Sequence, residues 1–232
     1  MRTIRRGSRR FHTDLGWLDS RHSFSFGPHR DPRWMGFRGL RVLNDDLVQP
    51  ASGFGTHPHR DMDILSYVVE GALEHKDSAG HGSVIRPGDL QRMSAGRGIA
   101  HSEWNASREE PVRFLQIWLP PRGRGGEPSY AQAHFPVEQR QDRLRLVASE
   151  DGREGSLVLD SSTSVHAALL SVGARVEHRF EPGRHGWLQV VRGRVHALGD
   201  TLEQGDGMGL SGESLLSIEG LSEAEILLFD LE

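Results

Sequence analysis

Short apolar runs separated by glycine, proline and aspartate make up this chain, and little of it follows a helical period. In His22-Ser23-Phe24-Ser25-Phe26-Gly27 the two phenylalanines alternate with small polar residues, which predicts a short strand with one buried face. Leu40-Arg41-Val42-Leu43 predicts another, ended by Asn44-Asp45-Asp46. Ile64-Leu65-Ser66-Tyr67-Val68-Val69 is β-branched and aromatic; Glu70-Gly71 bounds it, and Ala72 to Lys76 returns as its partner. Val84-Ile85 runs into a turn at Pro87-Gly88-Asp89, and Gly96 and Gly98 punctuate the approach to His101. Val112 to Leu119 is apolar on both faces, as in a strand enclosed by a sandwich. The pattern is that of an antiparallel, all-β sandwich or barrel.

Pro120-Pro121-Arg122-Gly123-Arg124-Gly125-Gly126-Glu127-Pro128 interrupts it and reads as a linker. Its Arg-Gly content is too short and isolated to argue for RNA. Ser129 to Arg140 has weak helical character and is expected to cover a sheet edge. The second half then repeats the first: Tyr67-Val68-Val69-Glu70-Gly71 matches Gln189-Val190-Val191-Arg192-Gly193, and Pro87-Gly88-Asp89 matches Gln204-Gly205-Asp206. Ala224 to Leu231 supplies a closing strand. Two β units of one plan imply an internal duplication.

The composition narrows the chemistry. With 232 residues the chain can bury a full core, and a net charge of −4 gives no general attraction to nucleic acid or membrane surfaces. The absence of cysteine rules out disulfides, thiolate metal sites and thiol nucleophiles. The basic start, Met1 to Arg10, has no apolar core behind it and is not expected to be a secretory signal. No apolar run approaches spanning length. A soluble, cytoplasmic protein is expected.

The candidate chemistry lies between His57 and His101. His57-Pro58-His59 and His101-Ser102-Glu103 each offer two donors one residue apart, and on a strand such pairs share a face. Pro58 favours extended backbone. If the two pairs converge, three imidazoles and a carboxylate form a set suited to a divalent transition metal. Among 13 histidines a lone H-x-H would read as a solvated loop pair; the second pair is what argues for a site. Counting from the matched glycines sets His57 and His59 opposite Arg179 and Glu181. The same count sets His101 and Glu103 opposite Ile218 and Gly220, so the second copy reads as structural, with His178 and His185 as polar residues nearby.

His57-x-His59, Asp63, Gly71, and Pro87 through Gly96 to His101 resemble the paired motifs of the cupins, metal-binding β-barrels of the jelly-roll type. More narrowly, His22 to Gly27, Thr56 to Met62, Met93-Ser94-Ala95-Gly96, His101-Ser102-Glu103, Pro128-Ser129-Tyr130 and Leu227-Leu228-Phe229-Asp230 resemble the pirin family, especially its bacterial bicupins. The resemblance implies two jelly-roll barrels in one chain. Residues 1–121 are expected to form an N-terminal barrel with the metal site, 122–142 a linker, and 143–232 a C-terminal barrel without the ligands. It implies His57, His59, His101 and Glu103 as ligands of one divalent ion, Fe(II) foremost, with Zn, Cu, Mn, Co or Ni also suited to the donors. Asp63 stands where cupins usually have glutamate, which puts a supporting role for it in doubt.

The implied activity is quercetin 2,3-dioxygenase-like cleavage of a flavonol with O2, with Glu103 as general base. The alternative from another class is a non-catalytic, redox-responsive metal protein that binds transcription factors or other proteins, as described for pirin. A sugar isomerase would need more polar residues than Phe24, Phe26, Trp34 and Phe37 provide near the site. The expected partners are a flavonol or other enol and O2, with no membrane and no direct nucleic-acid contact. A monomer is expected, because a duplicated chain already holds two barrels.

Overall fold

A computed structural model describes residues 1–232, and they form two compact units. The first strand, Arg2–Arg5 (β1), belongs to the C-terminal unit. The N-terminal unit, Phe11–Gly36 and Leu40–His134, follows with Phe11–Asp14 (β2), Leu18–His22 (β3), Val42–Val48 (β4), Gly53–His59 (β5), Asp63–Glu70 (β6) and Leu73–Asp77 (β7). Gly82–Ile85 (β8), Asp89–Ser94 (β9), Ile99–Asn105 (β10), Val112–Leu119 (β11) and Ser129–His134 (β12) complete it. They make a seven-stranded sheet in the order β12-β9-β6-β11-β4-β3-β2 and a four-stranded sheet in the order β5-β10-β7-β8. Leu18, Val48, Val68, Leu73, Ile85, Val112 and Phe114 form an apolar cluster, flanked by Trp17 and Phe54. Ile64, Met93, Ala95 and Ile99 form another, flanked by Met62 and Trp118. No helix is long and apolar enough to cross a membrane.

The C-terminal unit has one single-turn helix, Val137–Arg140 (α1), then Arg145–Ser149 (β13), Leu157–Val158 (β14), Ser164–Leu170 (β15), Arg175–Arg179 (β16) and His185–Arg192 (β17). Arg194–Ala197 (β18), Asp200–Glu203 (β19), Gly207–Ser211 (β20), Leu215–Gly220 (β21) and Ala224–Leu231 (β22) follow. Its sheets run β1-β20-β17-β22-β15-β13-β14 and β16-β21-β18-β19. The strand series β9-β6-β11-β4 and β5-β10-β7-β8 of one unit therefore recur as β20-β17-β22-β15 and β16-β21-β18-β19 in the other. The duplication is one of topology as well as sequence, and the all-β, two-barrel bicupin architecture is present.

Several local expectations are corrected. Phe24 and Phe26 lie in an irregular segment after β3, Phe24 as plain core. Asn44-Asp45-Asp46 does not end a strand but sits buried inside β4. Each polar side chain there has a partner: Asn44 Oδ1 lies 2.9 Å from His22 Nδ1, Arg113 Nε donates to Asp45 at 2.8 Å, and the Ser20 hydroxyl donates to Asp46. Paired in this way, they cost little in a strand centre. Residues 129–134, expected to be weakly helical, are a strand in register with β9, with Ser129 opposite Ser94 and His134 opposite Asp89. β1 occupies the same edge of the other unit, beside β20.

The ladders also reset the alignment of the two copies. Gly71 and Gly193 turn equivalent hairpins, both at positive φ (76° and 71°), where a side chain would be strained and would strike the facing backbone. Leu73 then matches Val195, and their neighbours Asn105 and Gly220 match in turn. Stepping back along β10 and β21 sets His101 opposite Leu216 and Glu103 opposite Ile218. Across the next ladder, His57 pairs with His101 as His178 pairs with Leu216, and His59 falls opposite Phe180. Counting from Gly88 and Gly205 missed this because the turn before β21 is shorter. Phe180, Leu216 and Ile218 all belong to the apolar core of the C-terminal unit.

Candidate metal centre

β5 and β10 run antiparallel with His57 opposite His101 and His59 opposite Ile99, and the register shifts between His101 and Glu103. Gly53 makes the close approach there possible, since a Cβ on it would collide with the Glu103 carbonyl and Trp104. Strand alternation sends the side chains of His57 and His59 to one face, and those of His101 and Glu103 to the same interior. The Nε2 atoms of His57 and His101 are 3.0 Å apart, and one donor nitrogen from each of His57, His59 and His101 lies within 4.8 Å of the others. His57 Nδ1 is 2.8 Å from the Gly55 carbonyl and donates to it, which leaves its Nε2 lone pair facing inward. His59 Nε2 is buried and has no hydrogen-bond partner.

Buried nitrogen lone pairs without partners are costly. Here one such nitrogen, His59 Nε2, converges with the His57–His101 pair, and a divalent cation is a species that satisfies all three at once. Burial, reinforced by His57, pushes the His59 ring down to about 4. Burial, followed by the neighbouring histidines, pushes His101 down to about 2. Both are therefore neutral near pH 7, the state in which imidazole binds metal. The donor set fits a first-row transition metal without thiolate.

Glu103 is fully buried. Ser66 Oγ donates to its Oε1 at 2.9 Å and Gln116 Nε2 to its Oε2 at 2.5 Å. Burial raises its pKa, and these two donors together with His57 only partly offset that. Its nearest donor cluster is His75, His101 and Glu103, so His101 is common to two groups, and the four sequence-predicted residues are joined through it. Asp63 lies outside both groups; it is buried and accepts from the Ser94 hydroxyl.

Beside His57 and His59 opens a cavity of about 300 Å³, walled by Leu15, Leu18, Phe26, Phe54 and Trp118 and reached by Gln116. The Trp118 ring meets His59 edge-on at 5.0 Å and Phe26 at 5.5 Å. Of the aromatics expected around the site, Phe26 is in this wall. Phe24 is core, Phe37 sits in the other unit against Trp187, and Trp34 is not among the cavity residues. Sequence reading missed Ser66, Gln116 and His75. The first two carried a usable signal, each being the one polar residue in an apolar strand core, Ile64–Val69 and Leu115–Leu119.

Comparison with known proteins decides the lineage. Residues 4–119 match the family described as Pirin, and residues 146–231 match the quercetinase C-terminal cupin domain. This chain belongs to the pirin family. It is 42% identical over 228 residues to the quercetin 2,3-dioxygenase of Escherichia coli K12, covering 98% of this chain and 97% of that protein. The crystal structure of YhhW from Escherichia coli superposes with a TM-score of 0.96 at 42% identity, over 100% of this chain and 98% of that one. A second structure, of the bacterial pirin YhhW in complex with nickel(II), gives 0.95 at 42% identity, over 100% and 99%. A first-row divalent ion thus occurs in a pirin of this architecture.

Proposed function

We propose that this pirin is a metal-dependent dioxygenase that opens a flavonol such as quercetin with O2, releasing carbon monoxide, and that His57, His59, His101 and Glu103 hold the ion. The observation that carries the reading is the three converging imidazole nitrogens beside a cavity sized and walled for one planar aromatic molecule. The quercetin 2,3-dioxygenase of Escherichia coli, 42% identical, and the nickel-bound pirin support it. Fe(II) is the metal we expect in the cell, with nickel an equally good fit to the donors.

When bound, the ion supplies Lewis-acid stabilisation of the ionised flavonol 3-oxygen and the electronic access to O2. The protein's own part is positioning and proton handling. Phe26 and Trp118 offer flat faces that orient the rings and keep water off the reacting carbon. Glu103, with its raised pKa, is suited to take the 3-hydroxyl proton as general base. Gln116 both lines the cavity and donates to Glu103, so it links the cavity to the buried carboxylate. The open-mouthed, largely apolar cavity beside the histidines favours a small-molecule substrate over the purely protein-binding alternative. We further propose a cytoplasmic monomer whose C-terminal barrel holds no metal.

The test is metal content of protein purified without added metal, read together with quercetin turnover under air. About one first-row ion per chain, with turnover abolished by a chelator, is expected. Metal without turnover would overturn the dioxygenase reading and leave the site; no metal, and no uptake of any offered, would overturn both.

A further inference from the structure

His75 lies outside the expected ligand set, yet it is one of the most enclosed polar side chains in the N-terminal unit, with no solvent exposure. It stands opposite Glu103 in the β7–β10 ladder. Its Nδ1 is 3.4 Å from His101 Nδ1, and its Nε2, which has no hydrogen-bond partner, is 3.5 Å from an Asp77 oxygen. Asp77 is itself fixed: its carboxylate accepts the amides of Ala79 and His81 at 2.9 and 3.0 Å and the His81 ring at 2.9 Å, and its side chain is fully enclosed. Tyr130 stacks on the His75 ring at 5.1 Å, which holds the plane of the imidazole.

These contacts form a line, His101–His75–Asp77, that starts from the Nδ1 side of His101, opposite the nitrogen that meets His57. The other partner of His101, His57 Nε2, is an acceptor because its Nδ1 hydrogen goes to Gly55. Without an ion, the consistent assignment is His101 Nε2–H donating to His57 and His75 Nδ1–H donating to His101. That assignment sets the His75 Nε2 lone pair against the Asp77 carboxylate at 3.5 Å, an unfavourable contact that a hydrogen on Nε2 would relieve. For His101 to offer Nε2 to a cation, its hydrogen must move to Nδ1. His75 Nδ1 must then accept it, and His75 must carry its own hydrogen on Nε2, toward Asp77. Each ring keeps one hydrogen throughout.

We propose that His75 is a positioning residue of the metal site, which with Asp77 selects the His101 tautomer that binds metal through Nε2, so that the His75–His101–Glu103 group is a supporting hydrogen-bond line and not a second metal site. The inference rests on the metal-site reading above but not on the dioxygenase reading. A ligand imidazole whose other N–H is fixed by a hydrogen-bonded partner is held in orientation and made more basic, and losing such a partner typically weakens metal binding 10–100-fold.

The experiment uses the full chain loaded with zinc, which is diamagnetic. Long-range ¹H–¹⁵N correlation spectra are expected to show His101 protonated on Nδ1 and His75 on Nε2 in the loaded protein, with both shifted to the other nitrogen after chelation. Zinc titration is expected to give one ion per chain, a 10–100-fold weaker Kd for His75→Leu, and recovery to within a few-fold for His75→Asn, whose amide oxygen can accept from His101. A loaded protein with His75 still protonated on Nδ1, two zinc ions per chain falling to one in His75→Leu, or equal affinity for wild type and His75→Leu would each overturn the relay while leaving the metal site. Wild-type protein that takes up no zinc would overturn the metal reading and the relay together. The tautomer measurement needs only wild-type protein, so a variant that fails to fold does not remove the test.

Discussion

Replacing Glu103 by glutamine separates the cost of a buried carboxylate from its use. Glu103 is fully buried and its pKa is raised by that burial, so without an ion its negative charge works against folding. Glutamine keeps nearly the same volume. Its amide oxygen can face Gln116 Nε2 and its NH2 can face Ser66 Oγ, a hydroxyl that turns to accept. The metal-free variant should therefore melt no lower than metal-free wild type. The loaded proteins should differ in the opposite sense. At metal 100-fold above Kd, binding adds about 2.7 kcal/mol to the folded state. For a chain of this size that is roughly 5–10 °C in Tm. If losing the anionic donor weakens binding about 100-fold, the same metal concentration only equals the new Kd and the gain falls to about 0.4 kcal/mol, roughly 1 °C. The assay is thermal melting of Glu103→Gln and wild type, chelated and with nickel, beside quercetin turnover. A metal-induced rise in the variant equal to that of wild type would refute Glu103 as a ligand, and retained turnover would refute it as the base.

Trp118→Ala removes the ring that faces both His59 and Phe26 and should raise KM for quercetin roughly ten-fold, about 1.4 kcal/mol of lost contact. An unchanged KM in steady-state kinetics would place the substrate elsewhere. In the C-terminal unit, burial first and then His178 lower the His166 pKa to about 4. The unfolded chain (pKa near 6.5) binds the proton more readily than the folded one. His166 should therefore contribute about 3 kcal/mol above pH 6.5 that is lost as pH falls toward 4. Denaturant unfolding across that range should show the slope, flattened in His166→Asn; equal slopes would contradict it. Gly96 has φ +45°, and a Cβ there would run into the Gly126 carbonyl, so Gly96→Ala should cost about 2 kcal/mol or more in the same measurement. A variant as stable as wild type would mean the Gly125–Pro128 turn yields freely.

The barrel plan was legible because turn residues and β-branched runs are local signals, and both halves carried them. Asn44-Asp45-Asp46 misled because three polar residues in a row look like a turn until Arg113, Ser20 and His22 arrive from elsewhere in the chain to pair with them. Residues 129–134 looked helical because an edge strand needs only a partner with open hydrogen bonds, here β9. In the site, His57, His59 and His101 stood out by spacing. His75 did not, since its neighbour in space is set by strand pairing across 26 residues and no local pattern records that. The alignment of the two copies failed for the same kind of reason: a turn shortened before β21 leaves no mark on the residues themselves, whereas the hydrogen-bond ladder counts them correctly.

Where the N-terminal unit has His59, His101 and Glu103, the C-terminal unit has Phe180, Leu216 and Ile218, closed into its core. A histidine or glutamate placed at any one of the three sites would displace a close-packed apolar side chain and bury a polar one among Phe180, Leu216 and Ile218, at about 1–3 kcal/mol or more each. The benefit of an ion would come only once several donors were in place together. The two copies thus make opposite use of the same positions: one carries buried donors that cost it stability without an ion, and the other sets well-packed apolar side chains at three of the four.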